Sequence, residues 1–292
     1  MQDGMGKGKR MQGYFYGYYY KCQSETQTIA LIAATHGDGK ERSCSLQVIT
    51  DEGAWVAEFT KEAYFQKGSL IKIGKNRFSR RGVKVDVNTA ELSIQGQLEF
   101  GPITPLKYDI MGPFAMIPFM ECRHMVGSVK HLVNGKLIVN GEEFVFENAQ
   151  GYWEGDTGRS FPKEYLWTQS FLGEGGSLML SVADIPFPGF RFTGVIGFIY
   201  WQGKEYRIAT YLGAKAQEIC DGGATITQGN YTLKVRLIEA EGKALRAPVS
   251  GSMVRTIRES ATCKASYEFW IGENQVFQIV TDQATFEYEY PN

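Results

Sequence analysis

Alternation of apolar and polar residues with a period of two runs through most of this chain and points to β-strands. In GVKVDV, for example, Val83, Val85 and Val87 alternate with Lys84 and Asp86. The same rhythm returns in YTLKVRL, YEFWI, VFQIV and TFEYEY, and no long helical periodicity interrupts it. Strands with this pattern bury one face and leave the other in solvent.

Short strands joined by short turns must each cover one apolar face, and the economical solutions are closed or stacked sheets. Asn140-Gly141 separates KLIV from EEFVF and predicts a hairpin over Lys136 to Phe146, because this dipeptide tolerates the positive φ values of a type I′ turn. For 292 residues we predict a mostly β protein of two barrel or sandwich domains with few short helices. Their expected bounds are a disordered segment 1–10, an N-terminal domain 11–150 and a C-terminal domain 151–292.

Charge and cysteine usage exclude several classes of partner and site. A net charge of −1 gives no field that would attract nucleic acid. The five cysteines lie far apart without a CxxC pair, which argues against both a disulfide framework and a zinc cluster and favours a reducing cytosol. No secretory signal is visible, and no run of about 18 apolar residues predicts a membrane span.

The segment GYWEGDTGRSFPKEYLWTQ, residues 151–169, combines carboxylates with aromatic rings at unusual density. In a strand Tyr152, Glu154 and Asp156 share one face, and in a second strand so do Tyr165, Trp167 and Gln169. If both faces line one cavity, the result is an aromatic pocket in which burial raises a carboxyl pKa toward the range of a general acid. The alternative interpretation is a barrel rim where Arg159 and Lys163 neutralise the acids.

Two of the three histidines, His124 and His131, lie in MGPFAMIPFMECRHMVGSVKHLVNG, residues 111–135. Seven residues apart, they lie on opposite faces of an unbroken strand, so one of them points inward unless a bulge intervenes. The spacing of Glu121, Cys122 and His124 matches no set of metal ligands, and we expect no metal. A buried histidine satisfied by a core hydrogen bond is the alternative to a functional one.

The central segment resembles the tocopherol cyclase family, which carries a similar run of Gly-Tyr, Glu, Asp, Ser-Phe-Pro and aromatic-Trp-x-Gln. The matching positions are Gly151, Tyr152, Glu154, Asp156, Gly158, Ser160, Phe161, Pro162, Trp167 and Gln169. The likeness extends to GYFYGYYYKCQ near the start, to the segment holding both histidines and to LRAPVSGSMVRTIRES near the end. Thr157 departs from the family, which usually has Trp there.

The resemblance implies a pair of lipocalin-like (calycin-type) β domains, related to carotenoid hydratases, around an apolar cavity. It also implies a reaction in which an acid protonates a prenyl double bond and a phenol oxygen closes the ring. Asp156 is then the first choice of proton donor, Glu154 the second, and His124 a base or a partner of the substrate hydroxyl. The expected substrate-binding residues are Tyr152, Trp153, Phe161, Tyr165, Trp167, Gln169, His131 and Glu121.

The predicted ligand is an isoprenoid or another lipophilic small molecule, and cyclisation or hydration is the most concrete chemistry. A lipocalin-like carrier without catalysis and a pericyclase-like enzyme that only holds a polyene folded are the two alternatives. We expect no cofactor, no nucleic acid and no integral membrane span, with peripheral membrane contact as an option. The sequence leaves the oligomeric state open.

Overall fold

The structure is a computed structural model that describes residues 13–291 except 39–40, 118–119, 174, 188, 240–242 and 250–251. Side chains are described in these ranges except at 187, 243–247, 249 and 252–261. The structure is 71% strand and 4% helix, with two nearly closed barrel-like sheets, and the described ranges contain no helix of seven or more residues. The predicted fold class is therefore confirmed.

The first sheet contains the first eleven strands of the chain in the order β4-β3-β2-β1-β11-β10-β9-β8-β7-β6-β5. All of its pairings are antiparallel. Its strands are β1 Tyr14–Gln23, β2 Thr28–Gly37, β3 Arg42–Ile49, β4 Ala54–Thr60, β5 Tyr64–Lys67, β6 Leu70–Ile73, β7 Asn76–Ser79, β8 Gly82–Asn88, β9 Ser93–Phe100, β10 Cys122–Val139 and β11 Glu142–Gly158.

The second sheet contains the remaining ten strands in the order β15-β14-β13-β12-β21-β20-β18-β17-β16, and β19 pairs with β20. Its strands are β12 Tyr165–Phe171, β13 Ser177–Phe187, β14 Phe190–Trp201, β15 Lys204–Ala209, β16 Lys215–Cys220, β17 Gly223–Gln228, β18 Tyr231–Glu239, β19 Lys243–Val249, β20 Ser252–Ile271 and β21 Asn274–Tyr288. Short 3-10 helices cover Lys61–Ala63, Gly112–Met116 and Thr210–Leu212. No helix in the described part of the chain has the length and apolarity needed to cross a bilayer.

The chain passes from one sheet to the other between Gly158 and Tyr165. β11 pairs with β1 and β10 along its length and lies in the first sheet. The division into two domains at residue 150 stays a prediction. The expected disorder of residues 1–10 concerns a segment that lies outside the described residues.

Each sheet encloses its own apolar core, and a third apolar layer lies between the two sheets. Tyr20 stacks on Trp153 in the first core, with ring centroids 5.9 Å apart. Tyr267 and Phe269 are fully buried in the second core. Because side chains alternate along a strand, the residues of β11 on either side of Trp153 face the second sheet instead. These include Tyr152, whose ring stacks on Phe198 across the layer.

The predicted hairpin is confirmed: β10 ends at Val139, β11 begins at Glu142, and Asn140 and Gly141 have φ values of 49° and 92°. Further along β10, the register with β11 shifts between Val126 and Ser128 and again before His131. Gly127 occupies the first shift, where a Cβ would lie 2.5 Å from the ring of Trp153. Only glycine fits this close approach.

The connection between β9 and β10, residues 101–121, is fixed to the second sheet by Arg207. The guanidinium of Arg207 donates hydrogen bonds to the carbonyl oxygens of Asp109 (2.9 Å) and Tyr108 (3.0 Å). It also forms an ion pair with Glu205 at 2.9 Å. Hydrogen bonds from a buried, charged guanidinium to two consecutive carbonyl oxygens hold a loop firmly. The loop consequently lies over the gap between the sheets.

Candidate active site

A cavity of about 120 Å³ lies in the layer between the two sheets. For scale, an engineered cavity of about 150 Å³ accepts a benzene molecule. Its walls are mainly apolar and its polar groups are almost all titratable. It is lined by Met111, Phe114, Met120, Cys122, His124, Glu154, Asp156, Phe161, Pro162, Tyr165, Trp167, Ser181, Ala183, Ile185, Phe192, Gly194, Val195, Ile196 and Glu287.

On the first sheet, His124 lies between two carboxyl groups of the neighbouring strand. His124 is paired with Asp156 across β10 and β11, and directly opposed residues share a face. Its Nδ1 lies 3.0 Å from Asp156 Oδ1, and its Nε2 lies 3.1 Å from Glu154 Oε2. Only the contact with Asp156 has the geometry of a good hydrogen bond, so the Glu154 contact is mainly ionic.

The charges of this cluster determine its protonation. Burial disfavours the imidazolium, but Asp156 and Glu154 outweigh it and hold the pKa of His124 well above its ordinary value. Burial raises the pKa of Glu154, while the positive charge of His124 pulls it back down. Glu154 also accepts a hydrogen bond of 2.5 Å from the hydroxyl of Tyr152. The cluster therefore favours the imidazolium form of His124.

Asp156 accepts two hydrogen bonds at the same oxygen, one from His124 and one from the thiol of Cys122 at 3.3 Å. Burial and the nearby carboxylate raise the pKa of the Cys122 thiol well above its ordinary value, so it is a hydrogen-bond donor and not a nucleophile. Because Asp156 serves as acceptor to two donors, it suits the role of a base better than that of an acid.

On the second sheet, Glu287 of β21 faces the same cavity, and none of the described side chains forms an ion pair with it. It lies directly across from Trp167 of β12 and is 7% exposed. The hydroxyl of Tyr165 donates a very short hydrogen bond to it. Burial raises the pKa of Glu287 to about 8, against the opposing effect of that hydrogen bond. Glu287 is therefore largely a neutral acid at pH 7.

His124, Glu154 and Asp156 are close enough to be considered as metal ligands. However, the imidazole turns one nitrogen to each carboxylate, and a ring supplies a metal with a single nitrogen. Among the described residues this geometry fits a charge network better than a metal centre. The expectation that the protein binds no metal stays a prediction.

Six of the residues singled out from the sequence line the cavity together, while the others lie elsewhere. The six are His124, Glu154, Asp156, Phe161, Tyr165 and Trp167. Tyr152 does not line the cavity but donates a hydrogen bond to Glu154, which does. The remaining four are outside: Trp153 is in the first core, Gln169 is buried beyond the cavity, Glu121 is exposed, and His131 packs on Phe100 with its Nδ1 3.1 Å from Ser128 Oγ.

The sequence interpretation missed Glu287 and most of the apolar wall. TFEYEY predicts a strand with Glu287 on one face, but the pattern does not tell whether that face meets solvent or a second sheet. Met111 and Phe114 reach the cavity from the loop that Arg207 fixes, which likewise depends on a distant contact. No local signal would have identified these residues.

No protein-family model matches the chain. In sequence it is similar to a rice (Oryza sativa subsp. japonica) protein named "Probable tocopherol cyclase, chloroplastic", with 28% identity over 207 residues. This match covers 65% of the chain and 43% of the rice protein, so it spans less than half the length of that relative.

Among solved structures the chain is similar to kievitone hydratase from Nectria haematococca, with a TM-score of 0.54 and 10% identity over 96% of this chain and 90% of that one. It is also similar to CghA bound to Sch210972, with a TM-score of 0.58 and 11% identity over 95% and 88% of the two chains. At these identities the structures show a shared fold. The resemblance to tocopherol cyclases expected from the central segment is confirmed by the sequence match.

Proposed function

We propose that this protein is an acid-catalysed cyclase that protonates a prenyl double bond and lets a phenolic hydroxyl of the same molecule add to the resulting cation. The comparisons support a cyclase-like or hydratase-like function at a coarse level. The substrate class and the residue roles below are our assignment.

One observation carries the proposal: two buried glutamates face one apolar cavity, and one of them lies beside the imidazolium of His124 while the other holds a proton. Glu287 is a neutral acid with a pKa raised to about 8, while Glu154 lies beside the imidazolium of His124. A catalytic acid works best when its pKa lies near the operating pH, because it is then both protonated and able to release the proton. Pairs of titratable groups whose environments separate their pKa values are typical of acid and base roles.

Glu287 is the proton donor in this scheme, in place of Asp156. Its proton adds to the less substituted alkene carbon, a C–H bond forms, and the positive charge develops on the tertiary carbon. Trp167 and Tyr165 line the cavity beside Glu287, and aromatic faces stabilise a cation. Glu287 becomes a carboxylate in this step, which adds a further attraction for the cation.

Asp156 is the base. The phenolic oxygen forms the C–O bond to the tertiary carbon, and its proton passes to Asp156, whose side chain is 23% exposed and can release it to water. Glu287 regains a proton before the next turnover, so the cycle is neutral overall. Charges held at fixed positions in an apolar site stabilise such a transition state more effectively than water does.

Cyclisation is favoured over hydration because the phenolic hydroxyl belongs to the same molecule and is held beside the cation, whereas water must enter the mainly apolar cavity separately. A cavity of about 120 Å³ holds the reacting end of the substrate, and a long prenyl chain must extend beyond it. The fold shared with kievitone hydratase makes hydration the second chemistry to test.

The experiment is incubation of the protein with a hydroquinone that carries a prenyl chain next to one hydroxyl, in D₂O, followed by mass spectrometry. We expect a ring-closed product of unchanged composition that carries one carbon-bound deuterium. Glu287→Gln should lower turnover by roughly 100-fold or more, in line with general-acid contributions.

The matched control is Glu273→Gln, the same chemical change at an exposed position in the turn that precedes β21. It should leave turnover unchanged. A product heavier by one D₂O would indicate hydration. Tight binding of the hydroquinone without conversion would indicate a carrier and overturn the proposal.

A further inference from the structure

One stretch of the first sheet is strongly basic and contains no acidic residue. Residues 64–84 contain seven Lys and Arg and no Asp or Glu, whereas the whole chain has a net charge of −1. The net charge of the chain therefore conceals a strongly basic region balanced by acids elsewhere. This region spans β5 to β8, at the end of the first sheet away from the strands that line the cavity.

The strand register aligns several of these cations in one row. Phe65 is paired with Lys72, Lys72 with Arg77, and Arg77 with Lys84 across four neighbouring strands. All four side chains are exposed, while the residues that alternate with them, such as Ile71, are buried. Paired residues share a face, so the three cations form a continuous basic row on the outer surface.

The row is unfavourable for the fold itself. Like charges directly opposite each other on adjacent strands are destabilising. No carboxylate of the described residues lies within 4.0 Å of Lys72, Arg77 or Lys84, although neighbouring Lys75 does pair with Asp86 at 3.4 Å. Local features that oppose folding are expected at functional sites.

Protection of a sheet edge, the usual structural reason for exposed lysines, does not account for the row. Charged side chains prevent edge-to-edge pairing when they lie on the outermost strand. The outermost strand here is β5, whereas Arg77 and Lys84 lie on β7 and β8, in the interior of the sheet. Their charges need another explanation.

We propose that this basic row, Lys72, Arg77 and Lys84 with the adjacent arginines of the β7–β8 turn, docks the protein onto an anionic lipid surface. Arg80 and Arg81 form that turn and are exposed beside the row. Clustered Lys and Arg are attracted to anionic headgroups over about a Debye length. Phe65, 50% exposed at the end of the row, can insert its ring between headgroups.

A lipid surface is preferred over a nucleic acid for two reasons. The exposed aromatic ring suits the lipid interface, and the choice also rests on the proposed function, because a lipophilic substrate partitions into membranes. Docking would bring the protein to the phase in which such a substrate is dissolved. Binding to vesicles requires no turnover, so this proposal and the proposed function can fail separately.

The experiment measures co-sedimentation of the whole protein with phosphatidylcholine vesicles that contain either no or about 30% phosphatidylserine. We expect binding to the anionic vesicles only, and at least a 10-fold loss of binding at 0.5 M NaCl. The triple variant Arg77→Gln, Arg81→Gln, Lys84→Gln should lose at least 10-fold in affinity, and Phe65→Ser a smaller factor. The control is Lys215→Gln, Lys234→Gln, Arg236→Gln, an equal change of charge at exposed positions of the second sheet, which should bind as the wild type does.

Two further results separate docking from a structural role. Arg77→Gln should raise the urea midpoint, because it relieves like-charge repulsion, while it lowers vesicle binding. The proposal is overturned if the wild type does not bind anionic vesicles at low salt, or if the control variant loses as much affinity as the triple variant. Tighter binding to double-stranded RNA than to the vesicles, with no effect of Phe65→Ser, would assign the row to nucleic acid.

Discussion

The two walls of the cavity carry the same pair of residues in different electrostatic settings. The first sheet presents Glu154 hydrogen-bonded by Tyr152, and the second presents Glu287 hydrogen-bonded by Tyr165. Both glutamates are nearly buried, with exposed fractions of 4% and 7%. The first has the additional contact with His124 at 3.1 Å, whereas the second has no ion pair with any side chain that the structure describes.

This single difference separates the chemistry of the two groups. Burial raises the pKa of both carboxyls, because a charged form is costly in an apolar setting. At Glu154 the positive charge of His124 opposes this rise, whereas Glu287 has no such opposing charge among its causes and its pKa rises to about 8. Each glutamate has one tyrosine partner, so the nearby histidine is the charge that distinguishes the two groups.

Removal of His124 should have the largest effect on stability. It removes the positive charge that distinguishes the setting of Glu154 from that of Glu287. His124→Gln breaks a buried ion pair and leaves the carboxylates of Glu154 and Asp156 without a counter-charge. Such changes cost about 3–5 kcal/mol of unfolding free energy. Urea unfolding at pH 7 measures the loss.

The matched control for this change is His131→Gln at the other buried histidine of β10. Burial lowers the pKa of His131 to about 4, so this ring is neutral at pH 7 and no ion pair is lost. It contacts Ser128 by one hydrogen bond, worth about 1 kcal/mol. Equal losses for the two variants would show that His124 is not charged.

The second largest expected effect is a change of the unfolding free energy with pH that is due to Glu287. The folded pKa of Glu287 is about 8 and the value for the unfolded chain is 4.5, so the native state keeps a proton that the unfolded chain releases. The contribution of Glu287 is complete below pH 4.5 and is lost progressively as the pH rises to about 8. The slope is about −1.4 kcal/mol per pH unit in that window.

Unfolding free energies from urea titrations at pH 5, 6, 7 and 8 test this slope. Stability of the wild type should fall with pH relative to Glu287→Gln, which has no titrating group at that position. Glu154→Gln should change the slope less, because His124 opposes the rise of the Glu154 pKa. Parallel curves for the wild type and Glu287→Gln would place the proton elsewhere.

The sequence predicted the polar wall of the first sheet and, on the second sheet, Tyr165 and Trp167 of β12, but it did not predict Glu287 of β21. The common face of Tyr152, Glu154 and Asp156 follows from the period of two, which is a local property of a strand. The same rule puts Trp153 on the opposite face, away from the cavity, where its ring stacks on Tyr20. Alternation, applied strictly, identifies its place in the first core.

The position of Glu287 in the second wall depends on contacts between distant parts of the chain. Glu287 meets Tyr165 only because β21 pairs with β12, and the two residues are 122 positions apart. Alternation is identical for a strand facing solvent and one facing a second sheet. The bulges of β10, which fix the faces of His124 and His131, likewise depend on the packing of Gly127 on Trp153.

The smallest predicted effect compares the two tyrosines. The hydroxyl of Tyr165 donates a hydrogen bond to Glu287, and this bond lowers the pKa of that carboxyl against the effect of burial. Tyr165→Phe removes a hydrogen bond worth about 1 kcal/mol, which corresponds to a pKa shift of somewhat under one unit. The pKa of Glu287 should rise by that amount, and the acid should stay protonated to higher pH. The alkaline limb of kcat/KM, which reports the free enzyme, should therefore move to higher pH.

The control is Tyr152→Phe, which removes the matching hydrogen bond at Glu154. That carboxyl is not the proton donor in our scheme, so the alkaline limb should stay in place. Equal shifts for both variants, or a shift for Tyr152→Phe alone, would transfer the acid role from Glu287 to Glu154.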